Sequence, residues 1–189
     1  VELLTGQASK TDVLCAIKLG GRRRACERQV TIVEKIARDS EVQTMEIIDK
    51  VESDLLWQTI RDYSGALTTF DSIIGRIYAT PSRMHDIEEA LFNRLGVSNN
   101  GFSLICQQGF GAALLFIENL KTESQIGLLK DLREIVNSYQ STLVFEKLPP
   151  LLKASIDVWD SGRLSSIDQM KSLKKTYDPN STLNAGRFV

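Results

Sequence analysis

Residues 71–95 read Asp71-Ser-Ile-Ile-Gly-Arg-Ile-Tyr-Ala-Thr80-Pro-Ser-Arg-Met-His-Asp-Ile-Glu-Glu-Ala-Leu-Phe-Asn-Arg-Leu95. The first ten, rich in Ile and Tyr, predict a strand over 71–80. Pro81-Ser82 then opens a helix, because proline at the first helical position gives up an N–H that has no partner there anyway. Met84, Ile87, Leu91 and Leu95 recur three and four apart and give that helix one apolar face, which Gly96 ends. Downstream, 102–106 and 112–117 predict strands joined through Gln107-Gln-Gly-Phe-Gly111. Thr122 and Gln125 form a capping box before a helix carrying Ile126, Leu129, Leu132 and Val136, and 141–146 predicts a last strand. The order βαββαβ is that of the ferredoxin-like arrangement, so the fold class expected is α+β.

Working outward, the N-terminal stretch contains a decoy. Gly6-Gln-Ala-Ser-Lys10-Thr11 has the end of a phosphate-binding loop, but Ser9 stands where the glycine before the lysine is needed, and an apolar strand follows instead of a helix. Residues 12–19 predict a buried strand ended by Gly20-Gly21. A helix over 22–39 sets Cys26, Val30, Val33 and Ala37 on one face. Residues 41–48 predict another strand and 51–63 another helix, with Ser64-Gly65-Ala-Leu-Thr-Thr as linker. This βαβα half is expected beside the ferredoxin-like half, with helices on one face of a broad sheet. Arg22, Arg23 and Arg24 open the first helix, where cations oppose its dipole. They are either a solvated turn or a contact to a carboxylate or phosphate of a neighbouring domain.

On the C-terminal side, Leu148-Pro149-Pro150 marks the exit from the sheet and 151–157 leads to Trp159. Leu164, Ile167, Met170 and Leu173 give the last helix an apolar face, while Lys171, Lys174 and Lys175 crowd its final turn. Asp178-Pro179 stops it. The division expected is 1–147 as one α+β domain, with halves 1–64 and 71–147, and 148–189 as a C-terminal helix and tail.

With 189 residues and 42% apolar content, the chain can bury a real core. Twenty-three basic against 24 acidic residues leave no global field to recruit nucleic acid or an anionic membrane. Cys15, Cys26 and Cys106 are widely spaced, form no CxxC pair, and two of them lie in apolar patterns, which fits a reducing, cytoplasmic compartment. No apolar run is long enough to span a membrane. A single histidine, His85, without a carboxylate or cysteine cluster at ligand spacing argues against a metal site made by protein groups alone. A start at Val1 without methionine reads as a processed or excised piece.

Leu173-Lys-Lys-Thr-Tyr-Asp-Pro179 followed by Leu183-Asn-Ala-Gly-Arg-Phe-Val189 resembles the "LK..(F/Y)DP...LNPGRF" ending of flavin-linked oxidoreductases of the vanillyl-alcohol oxidase type. Ala185 stands where that family usually has proline. With Ile156-Asp-Val-Trp159 upstream, the chain most resembles the FAD-binding subunit of glycolate oxidase. The resemblance implies a substrate, or cap, domain without its FAD-binding domain. That domain of the same protein, and other subunits of a glycolate oxidase-like complex, are the partners implied. FAD would be bound by the other domain, with Asn184, Gly186 and Arg187 of the tail turned towards it and Leu183 packed under the last helix.

The same resemblance implies a small 2-hydroxy acid as substrate. Leu56-Trp57-Gln-Thr-Ile-Arg61-Asp62 is similar to a cap-domain element whose arginine holds the substrate carboxylate, a task suited to a planar guanidinium. Arg61 stands four residues after Trp57 rather than three, a difference of about 100° around a helix. Trp57 as core and Arg61 as a surface ion-pair partner is the alternative. Metal-dependent relatives carry H-x-G-D-G-N-x-H at the hairpin. If Gly109 and Gly111 match its glycines, Gln107, Phe110, Ala112 and Leu114 replace its first His, Asp, Asn and second His. Gln107 and Gln108 then face a cleft or solvent, and Trp159 is either packing or a wall against flavin or substrate. The function expected is the cap domain of an FAD-dependent 2-hydroxy acid oxidoreductase. The rival readings are a non-catalytic ferredoxin-like module that binds a ligand or protein, and a scaffold subunit of a redox complex.

Overall fold

The computed structural model describes residues 2–5, 13–40, 42, 44–66, 71–95, 101–118, 122–163 and 166–184. Strands β1 (Glu2–Thr5) and β2 (Val13–Ala16) precede helices α1 (Arg23–Asp39) and α2 (Lys50–Ala66). There follow β3 (Ile73–Tyr78), α3 (Pro81–Leu95), β4 (Phe102–Gln107), β5 (Ala112–Ile117), α4 (Thr122–Ser138) and β6 (Thr142–Lys147). The short α5 (Pro150–Lys153) and α6 (Ile167–Tyr177) come last. The fold is α+β. All neighbouring strands are antiparallel, in the order β2-β1-β4-β5-β3-β6. Residues 73–147 contribute β4-β5-β3-β6, the strand order of a ferredoxin-like βαββαβ unit.

The period of two along each strand decides which side chains meet which layer. Ile73 and Ile77 of β3, Leu115 of β5 and Phe145 of β6 point to one face and join the main core. Met84, Ile87, Leu91 and Leu95, the stripe read from the sequence, are all buried there beside Leu129, Leu132 and Val136 of α4. The opposite face carries Ile74, Ile105 and Phe116, and α2 lies on it through Ile60. The Tyr63 ring meets Phe116 edge-on at 4.9 Å, and its hydroxyl donates to or accepts from Ser103 Oγ at 3.0 Å. Thus α3 and α4 cover one face, and α2 adds a partial layer on the other. Asp49 starts α2 with a capping box: its Oδ1 accepts from the Val51 and Glu52 amides, and Glu52 Oε2 accepts from the Asp49 amide.

The N-terminal half departs from its pattern. Residues 44–49 are irregular and not a strand, and Met45 and Ile47 are exposed. A strand exists only through a ladder with a neighbour. The β6 edge already takes Val158, whose carbonyl accepts from the Phe145 amide at 3.0 Å. The predicted buried strand at 12–19 is the short edge strand β2, with Leu14 54% exposed, and β1, unforeseen, joins it to β4. The order ahead of β3 is therefore ββαα, and α2 runs on through Ser64–Ala66 where a linker was expected. No residue of α1 or α6 is buried, although both carry the expected stripes. Of the cysteines, only Cys106 is buried, with Cys26 intermediate and Cys15 exposed. Gly96, Leu164 and the Thr122 side chain of the expected capping box lie outside the described residues.

Candidate functional site

Beyond the patch that α2 covers, the second sheet face opens. Register places Gln107 opposite Ala112, Ala112 opposite Tyr78 and Tyr78 opposite Thr142, so these four form one cross-strand row. Ile105, Leu114, Arg76 and Val144 form the row beside it. Tyr78 is exposed, and Gln107, Thr142 and Arg76 are half-buried. Arg76 Nε donates to Glu146 Oε1, and its Nη2 donates to Oε2 at 3.3 Å. That bond holds the Arg76 guanidinium above its usual range. Nη1 makes no hydrogen bond among the described residues, so the group keeps a free donor for a second oxyanion. A guanidinium, an amide, a phenol and a hydroxyl on one open face can orient a small carboxylate that also carries a hydroxyl.

The hairpin between β4 and β5 is clamped at the rim of this face. A 3₁₀ turn (Gln108–Phe110) ends at Gly111, whose left-handed φ is 65°. Ala79 N donates to Gly111 O at 2.8 Å, and a Cβ at Gly111 would stand 2.0 Å from Ala79 O, so only glycine fits. Gln108 Nε2 donates to Glu88 Oε2 of α3, which is buried, while Glu88 Oε1 makes no hydrogen bond among the described residues. Burial, and then Glu88, push the neighbouring Cys106 thiol well up from its usual range.

A second polar cluster stands at the far edge of the sheet. Arg133 of α4 stacks on Phe145 at 4.9 Å from guanidinium carbon to ring centroid and approaches Asp160 Oδ1 at 3.9 Å, beyond hydrogen-bond length. Arg133 Nε and Asp160 Oδ2 are buried and make no hydrogen bond among the described residues. Burial lowers the Arg133 guanidinium from its usual range, partly offset by Asp160 and Asp157.

The tail motif forms a knot of hydrogen bonds around Asp178. Its Oδ1 accepts from Thr182 N at 2.8 Å and Thr182 Oγ1 at 3.0 Å, and its Oδ2 accepts from Leu183 N at 2.9 Å and from Lys174 Nζ. Lys174 Nζ also donates to Leu183 O. The Lys174 bond, followed by those from Leu183 and Thr182, holds the Asp178 carboxyl far below the usual carboxylate range despite its desolvation.

The residues expected at the site do not converge. Gln107 lies on the open face, but Gln108 is turned to α3 on the other side of the sheet. Trp159 is half-buried on the segment outside β6, four strand positions from β4 and so about 19 Å away across the sheet. Arg61 is exposed on α2 and makes no ion pair among the described residues, while Trp57 packs beside Ile60 under Lys18. Asn184 is exposed, with a left-handed φ of 50°. Gly186 and Arg187 lie outside the described residues. Leu183, expected under the last helix, is 63% exposed, because the Asp178 bonds hold the tail by its backbone.

Sequence reasoning missed Arg76 and Tyr78. The signal was there: Ile74, Arg76 and Tyr78 alternate on one face, and a charge midway along a paired strand needs an open face or a partner. His85 is exposed on α3, and among the described residues no three His, Cys, Asp or Glu gather to hold a metal ion. No helix among them is long and apolar enough to cross a membrane. No family model matches the chain, and no curated protein matches it significantly.

Proposed function

We propose that this chain is the substrate-binding cap domain of an FAD-dependent 2-hydroxy acid oxidoreductase resembling the FAD-binding subunit of glycolate oxidase. The observation that carries the reading is the open half of the second sheet face, where Arg76, Tyr78, Gln107 and Thr142 stand together beside a half that α2 closes. Arg76 binds the substrate carboxylate, in place of the Arg61 that the sequence suggested, and Gln107 and Tyr78 orient the 2-hydroxyl. FAD, held by its own domain, would accept the hydride. The tail motif, with Asn184 presented beyond the Asp178 knot, supports the docking of that domain. Three unpaired cysteines fit a reducing cytoplasm.

The test is a titration of the chain with glycolate and D-lactate, followed by amide and side-chain chemical shifts. Residues of β3, β4 and β6 on the open face should respond, and Arg76→Met should remove the response while leaving the rest of the spectrum in place. Equal responses to glycolamide, which has no carboxylate, or shifts confined to the Trp159 side, would leave the ligand-binding module as the better reading.

A further inference from the structure

We infer that α1 and the segment after it form a self-complementary surface that pairs with a second copy of this chain. Among the described residues, seven exposed large apolar side chains fall between Ile32 and Leu55, including Ile32 and Ile36, each 58% exposed, and Ile47, 62% exposed. A cleft of about 250 Å³ between α1 and the residues after it is lined by Glu34, Ala37, Arg38, Val42, Met45 and Ile47. On a helical wheel, Ala25, Cys26, Val30, Ile32, Val33, Ile36 and Ala37 share one arc that only Gln29 interrupts, yet no residue of this helix is buried. A 17-residue helix with an unburied apolar face is marginal on its own, so something covers it in use.

The charges say what covers it. Residues 22–39 carry six cations against three carboxylates, whereas 40–54 carry five carboxylates against one lysine. Arg28 and Lys35 lie one turn either side of Ile32, and Glu46 lies between Met45 and Ile47; none of the three makes an ion pair among the described residues. The surface thus has an apolar centre, a basic side on α1 and an acidic side on 46–52. A two-fold axis through the centre sets each basic side on the acidic side of the other copy, as an isologous interface requires. An anionic membrane suits it poorly, because Glu46, Asp49 and Glu52 border the same apolar residues and would be repelled. The Arg22–Arg24 cluster then borders an interface instead of a solvated turn.

Sedimentation velocity at micromolar concentration tests this. The wild-type chain should run at the mass of two chains. Arg28→Glu with Lys35→Glu sets acid against acid, and Glu46→Lys with Glu52→Lys sets base against base; each pair should raise the dissociation constant at least about tenfold, with the circular dichroism of the Arg28→Glu, Lys35→Glu chain unchanged. An equimolar mixture of the two variants should regain the two-chain mass, since each reversed side then meets its complement. Ile32→Asp with Ile36→Asp, at exposed positions, gives a second reading that does not touch the cap of α2, and it too should run as one chain. A wild-type chain that stays at one-chain mass up to about 100 μM, a dimer indifferent to all three variants, or a monomer that co-sediments with phosphatidylserine vesicles would each overturn the inference.

Discussion

Gly111→Ala isolates what the hairpin demands of its backbone. Alanine at a φ of 65° costs about 1 kcal/mol in left-handed strain. Its Cβ would stand 2.0 Å from Ala79 O and 3.2 Å from Pro81 Cδ, so the end of β3 and the first turn of α3 must move away from the hairpin. That movement breaks the 2.8 Å bond from Ala79 N to Gly111 O, a further cost of about 1 kcal/mol, and disturbs the packing behind it by a comparable amount. The sum is about 3 kcal/mol. Gly109, the other glycine of the hairpin, has open space where a Cβ would be, so Gly109→Ala should be neutral or stabilise by a few tenths of a kcal/mol. Urea unfolding followed by tryptophan fluorescence reads both, since Trp57 lies on α2 and Trp159 on the segment beside β6. With a slope of about 2 kcal/mol per molar, Gly111→Ala should lower the midpoint by about 1.5 M. A Gly111→Ala midpoint near that of wild type, or an equal fall for Gly109→Ala, would refute the clamp.

Arg133→Met removes the cation beside a buried carboxylate and should cost about 3 kcal/mol, measured by the same unfolding curve. Adding Asp160→Asn, which tolerates the left-handed φ of 54° there, should recover much of the loss; no recovery would mean that Arg133 acts through its stacking on Phe145. Asp178 has a folded pKa depressed below the unfolded value of about 3.9, so its contribution is complete above that value and lost only as pH falls through the folded one. Hydrogen-exchange protection of the Thr182 and Leu183 amides should therefore hold from neutral pH to about pH 4, after allowance for intrinsic exchange, and Asp178→Ala should abolish it at every pH.

What the sequence disclosed depended on whether an element's partner was local or distant. The stripe from Met84 to Leu95 lies in a chain segment whose flanking strands supply the surface it buries, so periodicity was enough to place it. Residues 41–48 had the composition of a strand, but 44–48 join neither edge of the sheet, and nothing in a strand's own residues reveals that. Ile167, Met170 and Leu173 have the spacing of a buried face, yet Leu173 is 58% exposed, because a period of 3.6 reports that a face is apolar and not what stands opposite it. Arg76 was legible as a charge inside an apolar strand, but its importance depends on α2 covering Ile105 and Leu114 of its row while leaving Arg76 half-buried. That is a matter of where a helix distant in sequence comes to rest.

The tail shows the same division in one motif. Tyr177 and Leu183 are 80% and 63% exposed, so hydrophobic burial does not organise the turn between them. Asp178 does, by accepting from two successive backbone amides while Lys174 ties the Leu183 carbonyl to the helix. A turn fixed by polar bonds can hold apolar side chains outward at little cost to the fold, since its geometry survives whether or not they are covered. A tail fixed by burial could not, because its shape would depend on the contact it lacks. Under the proposed reading, the motif is a docking element whose backbone is set in advance. A flavin-bearing domain would then meet an ordered Leu183-Asn184 turn, and the entropy of ordering that turn would not count against their association.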